Sequence, residues 1–219
     1  MEGILNLNKG FTLAEVLITL GIIGVVAAMT LPTLIQKQKR IETSSRLKKF
    51  YSAMSQAILL SEKDNGEVQY WPKENMVKDD DGKYDAEANS VLSDAFFRKY
   101  LAPYLKYTSA EKDPENSNYT KVIFADGSCM HVKNGGCYDF HYDTNGGKNP
   151  NIFGRDKFSF ILCPRRESVY FMPKSAFKGY GMNTSRQQLL NNCRSSGSHC
   201  ASLLQYDNWE FKDDYPFKL

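Results

Sequence analysis

FTLAEVLITLGIIGVVAAMTLP, residues 11–32, is the stretch on which the fold turns. From Phe11 to Leu31 every side chain is apolar or small except Glu15. As a helix this segment is about 32 Å long, enough for the ~30 Å hydrocarbon core of a bilayer. It sits near the start of a 219-residue chain whose net charge is +3 and whose pI is near 8.5. The remainder, 42 % hydrophobic and 24 % charged overall, has the composition of a globular chain. No basic block interleaved with aromatics appears, so nucleic acid is not expected as a partner.

Two readings of the apolar segment compete. A cleaved secretory signal has a shorter apolar region, a basic start and small residues at its end, which Ala27 and Ala28 would mimic. A retained anchor needs the full span, and the length favours it. An acid at membrane depth costs about 2.5–3.5 kcal/mol on insertion scales, so Glu15 calls for a partner or for a place at the interface. If the chain were cut after Gly10, Phe11 would carry a free α-amine at the tip of the helix. A neighbouring copy shifted along the axis would then set its Glu15 beside that amine, and the pair would fix the packing register.

Gly10, Phe11, Thr12-Leu13, Glu15 as fifth residue after the glycine and Pro32 as the twenty-second together resemble the class III signal of type IV prepilins and type II secretion pseudopilins. The resemblance covers Gly10 to Pro32. It implies cleavage between Gly10 and Phe11 by a prepilin peptidase, N-methylation of Phe11, and assembly through Glu15. It also implies other pilin or pseudopilin subunits and a membrane assembly platform as partners, with the lipid bilayer as the first environment. The expected location is the inner membrane, crossed once, with the N-terminus cytoplasmic and the head extracytoplasmic, and afterwards a filament. The leader departs from the pattern, since MEGILNLNKG has Lys9 as its one basic side chain and also carries Glu2. Lys37, Lys39, Arg40, Arg46, Lys48 and Lys49 follow the span, and the positive-inside rule alone would orient it the other way.

Pro32 lacks an N–H and is expected to kink or interrupt the helix. Beyond it Leu47, Phe50, Tyr51, Met54, Ala57 and Ile58 recur at helical spacing, as one face of an amphipathic continuation to about residue 61. Residues 90–105 read as a second helix capped by Ser90. Residues 120–132 read as a hairpin around Asp126-Gly127, and 156–163 with 168–173 as the next strand pair. The fold expected is therefore α+β and pilin-like: a long N-terminal helix, its first half transmembrane, packed on a small antiparallel β-sheet head. Its parts are a leader (1–10), an assembly helix (11–32), the amphipathic continuation (33–61) and a globular head (62–219). The ending, WEFKDDYPF, reads as a last extended segment.

Five cysteines are present. In an extracytoplasmic head disulfides are permitted, and the two local pairs Cys129–Cys137 and Cys193–Cys200 are preferred, leaving Cys163 buried and reduced. Cys129, His131, Cys137 and His141 are ligand types for zinc, but their spacing is not that of a familiar finger. Asp143, Asn145 and Asp156, in a glycine-rich loop, are hard oxygen ligands for calcium; the competing reading is an Asx-turn loop. Major pseudopilins often bind calcium in such a loop. Tyr70, Trp71, Trp209 and Tyr215 are either packing residues or a ligand surface. No motif for catalysis is found, so a non-enzymatic structural subunit is expected, a minor one because of its large head. The alternative is a membrane-anchored extracytoplasmic enzyme, ligand-binding protein or adhesin.

Overall fold

Leu47, Phe50, Met54, Ala57, Ile58 and Ser61 lie three or four residues apart, and all are buried. They form one face of α1, Leu13–Asn65, in the computed structural model of the chain, which describes residues 10–113, 119–164, 168, 177–181 and 185–219. The helical assignment is continuous through Pro32, so of the kink or interruption expected there the interruption is absent. The proline deprives the Ala28 carbonyl of its helical donor.

The chain divides into two compact units, one reaching to Arg40 and the other spanning Ile41–Leu219. In the first, the apolar side chains stand exposed, from Phe11, Leu17 and Ile18 to Ile23 and Leu34. α1 is long and apolar enough to cross a membrane.

The second unit holds a six-stranded antiparallel sheet whose strands lie in sequence order: β1 (Ser109–Lys112), β2 (Tyr119–Ile123), β3 (Cys129–Asn134), β4 (Tyr138–Asp143), β5 (Lys157–Leu162) and β6 (Lys178–Gly179). Alternation sends Val122, Met130, Val132, Phe140, Tyr142, Phe158 and Phe160 to the face that packs with α1 in one core. Phe50 is the centre of that contact, stacked on Tyr142 at 4.0 Å and edge-on to Phe160 at 5.2 Å. Each such side chain fully buried contributes about 1.5–3 kcal/mol. The expected hairpin is present, with Asp126 and Gly127 in the turn and Gly127 at φ +79°. The proposed strand at 168–173 lies, apart from Ser168, outside the described residues.

α2, Ala86–Tyr100, begins earlier than its sequence reading. Asp85, not Ser90, is the N-cap, accepting from the Ala88 N–H at 2.9 Å; Ser90 is buried inside the helix. Trp71, Phe96 and Tyr138 form an aromatic wall beside it. α3, Arg186–Ser195, starts at a capping box built from Ser185 and Gln188. α4, Cys200–Tyr206, follows. The C-terminal residues are not extended: Trp209 has φ +65°, and turns carry the chain to Tyr215, which donates to the Gly154 carbonyl at 2.7 Å. Trp71, Trp209 and Tyr215 are buried and Tyr70 is exposed, so three of the four aromatics are packing residues.

Candidate functional site

The helix tip is built by four residues. Thr12 caps α1, its carbonyl accepting from the Val16 N–H. Its N–H and hydroxyl both donate to Glu15 Oε2, at 2.8 and 2.7 Å, and its Oγ1 accepts from the Glu15 N–H at 3.2 Å. This is a reciprocal capping box, the T-x-x-E pattern at 12–15. An acid in the first turn also faces the positive end of the helix dipole. Within one chain, then, Glu15 closes its own helix. Oε1 has no hydrogen-bond partner among the described residues. Gly10 and Phe11 stand just before the cap, Phe11 at 88 % exposure.

The 143–156 loop joins β4 to β5. Asp143 Oδ1 accepts from the Asn145 and Gly146 N–H groups at 2.9 and 3.0 Å. Asp156 accepts from the Ile152 and Asn151 N–H groups at 2.6 and 2.8 Å and from Asn145 Nδ2 at 3.0 Å. The fold thus brings Asn145 to Asp156 and ties Asp143 to the same loop through backbone donors, as Asx turns do. Three buried oxygens, Asp143 Oδ2, Asn145 Oδ1 and Asn151 Oδ1, have no hydrogen-bond partner among the described residues. Lys157 Nζ lies 4.0 Å from the first. Gly146, at φ +76°, passes so close to the Gly127 carbonyl that a Cβ would collide with it. Arg46 on α1 donates to the Thr144 and Asp126 carbonyls, and Lys49 pairs with Asp126 at 2.8 Å. Burial works against the Asp126 charge, but Lys49 and Ser128 outweigh it and hold the carboxyl down to about 2.

The structure corrects the cysteine pairing. Cys137 is bonded to Cys163, Cys193 to Cys200, and Cys129 is a buried free thiol. Cys129 and Cys137 do not flank a loop; β3 runs straight between them and holds them at opposite ends of the hairpin. Cys163 continues the β4–β5 register one step beyond Tyr138↔Leu162, directly across from Cys137, with the Cα atoms 4.7 Å apart. The pairing signal was the strand register, not loop length.

The zinc set is dispersed in the same way, since Cys137 is committed to a disulfide. Among the described residues no group of three or more His, Cys, Asp or Glu is arranged to hold a metal. His131 and His141 do meet, directly opposite each other on β3 and β4. His131 Nδ1 lies 2.7 Å from Asp113 and its Nε2 3.4 Å from Cys129 Sγ; His141 Nδ1 lies 2.9 Å from Ser159 Oγ. The Asp–His–Cys order resembles a nucleophile relay, but Cys129 is 1 % exposed and burial pushes its thiol up to about 11. It remains protonated and out of reach of solvent. Burial likewise holds both imidazoles below the usual range, His141 down to about 4.

Residues 5–31 match the model of the prokaryotic N-terminal methylation motif, and residues 33–219 match that of a family of unknown function, DUF6613. Over 60 residues the chain is 43 % identical to the type IV major pilin protein PilA of Myxococcus xanthus (strain DK1622). That match spans 26 % of this chain and 26 % of the relative, about a quarter of its length. No solved structure matches the chain.

Proposed function

The chain belongs to the family of unknown function matched over residues 33–219 and carries the N-terminal segment of the type IV prepilin and pseudopilin family; from this we propose that it is a membrane-anchored structural subunit, a minor one, of a type IV pilus or a type II secretion pseudopilus. The observation that carries the reading is the helix tip. A single acid closes the cap of an exposed apolar helix, immediately after Gly10-Phe11. Prepilin peptidase would cut between Gly10 and Phe11, and Phe11 would be methylated. Thr12 holds Glu15 through Oε2 alone, which leaves Oε1 to accept the Phe11 ammonium of the next subunit. Two charges that are costly alone in an apolar stack would neutralise each other there. Two disulfides suit a head on the extracytoplasmic side and an N-terminus facing the cytoplasm. An assembly platform and other pilin-type subunits are the partners this role requires.

The test is intact mass with and without a prepilin peptidase. The expected product lacks residues 1–10 and gains about 14 Da for one methyl group. Glu15→Ala is expected to be cut and to stay in the membrane, yet to be absent from filaments. An uncut chain, or normal incorporation of that variant, would overturn the reading.

A second reading concerns calcium. Asp143, Asn145 and Asn151 bring three buried oxygens without a hydrogen bond among the described residues to the loop that Asp156 closes, and hard cations take such oxygens. If calcium binds there, the thermal midpoint of the full chain rises with millimolar calcium relative to chelator, and Asp143→Asn abolishes the rise. An unchanged wild-type midpoint would reduce the loop to its Asx turns.

A further inference from the structure

Six basic residues stand on α1 just after the apolar span, and the assembly role gives them no task. Arg46 and Lys49 belong to the unit that begins at Ile41, where they hold Asp126 and the Thr144 carbonyl. Lys48 is an exposed residue of the same unit. Lys37, Lys39 and Arg40 close the other unit, and their side chains make no hydrogen bond or ion pair with any described residue. Gln36-Lys37-Gln38-Lys39-Arg40 is a run of donor side chains, and no carboxylate occurs between Glu15 and Glu42. The last apolar pair before the run, Leu34-Ile35, is exposed. At 1.5 Å per residue, Lys37 stands about 3 Å beyond Ile35 and Arg40 about 7.5 Å beyond it. That is the depth of a headgroup layer, about 5–7 Å in each leaflet. With 3.6 residues per turn the three cations spread over about 160° of the helix, and Gln38 takes the remaining face. A protein partner meets a helix on one side, whereas the headgroups around a single helix meet it on all sides.

We infer that Lys37, Lys39 and Arg40 form a collar that binds anionic phospholipid headgroups where the helix leaves the membrane. The inference rests on the membrane anchoring proposed above, and on neither cleavage nor assembly. Phosphate oxygens accept from ammonium and guanidinium donors, and an anionic headgroup supplies the counter-charge that this stretch of chain lacks. The long stems of the three side chains let the charges settle at the level of the phosphates. In the orientation proposed, the collar lies across the membrane from Gly10-Phe11, on the side where the positive-inside rule expects few cations. Binding to headgroups gives those cations a task. They set the depth of the free subunit in the bilayer, and the headgroups are given up as the helix is drawn into a filament.

The probe is spin-labelled phosphatidylglycerol, compared with spin-labelled phosphatidylcholine, each at trace level in phosphatidylcholine vesicles that carry the full chain. Electron paramagnetic resonance reads the fraction of each lipid immobilised by the protein. Phosphatidylglycerol is expected to be preferred about fivefold, the effect of one cation at an anionic surface. The preference is expected to collapse in roughly 1 M salt, where the screening length is about 3 Å. Combining Lys37→Gln, Lys39→Gln and Arg40→Gln is expected to remove it while the chain still floats with the vesicles. Lys37→Arg with Lys39→Arg is expected to keep it, and so is inorganic phosphate added at constant ionic strength. Equal immobilisation of the two lipids by the wild-type chain overturns the proposal and frees the cations for the acids of another subunit. A preference that survives the triple replacement also overturns it, by assigning the lipid to Lys9 or to the head. So does a preference abolished by inorganic phosphate, which marks a site for the free anion. A wild-type chain that does not float with the vesicles overturns the anchoring and the collar with it, whereas the other failures leave the anchoring standing.

Discussion

At the scale of single residues, Asp126 shows how one carboxylate joins α1 to the sheet. Lys49 pairs with its side chain and Arg46 with its carbonyl. Its folded pKa of about 2 lies below the unfolded value, near 3.9. The stability it contributes is therefore present above about pH 4 and is lost as the pH falls through 2. Lys49→Met should raise the Asp126 pKa toward its ordinary value, as read by carboxyl-carbon NMR titration. Lys49 is largely exposed, so the loss in stability should stay below about 1 kcal/mol. Glu15 was legible as an anomaly from the sequence, because one acid among apolar residues stands out. Its bond to Thr12 was legible too, in the T-x-x-E spacing, although the sequence reading looked for a cation from the next subunit instead. The cysteines were not legible, because partners on adjacent strands are set by register, and register follows from which face is buried.

At the scale of elements, the stripe on α1 is where sequence and structure agree most closely, since a 3.6-residue apolar period held over several turns suits a helix and no strand. Phe50→Ala tests it. Phe50 touches Tyr142, Phe160, Phe124 and Phe177, so truncation should destabilise the head by about 3–5 kcal/mol, read from urea unfolding. The exposed Leu59 and Leu60 on the same helix should tolerate alanine far better. Other elements escaped the sequence. β4 reads YDFHYD, a clean alternation, but the sequence reading took from it only His141 and Asp143, as ligand types, and assigned no strand there. α3 carried its own announcement in Ser185-x-x-Gln188, yet it is short and polar, and its two leucines gave little period to follow. β1, with only four residues, has too short a pattern to register against its surroundings.

At the scale of the whole molecule, the class of fold followed from two features that need no tertiary information: a span long enough for a membrane, and alternating strands after a long amphipathic helix. What stayed hidden was the pattern of side-chain meetings at the sheet's outer face and at the end of β3, where residues far apart in sequence are brought together only by folding. The strand order itself has a further consequence. Every pairing among the described strands joins neighbours in the sequence. None of these described strands waits for a distant partner, so little loop entropy is spent before each contact forms. α1 precedes all of them and supplies the apolar face on which the sheet closes. A chain threaded across a membrane behind an N-terminal anchor would therefore present the template half of α1 before its strands, and the sheet could grow one hairpin at a time at the pace of export.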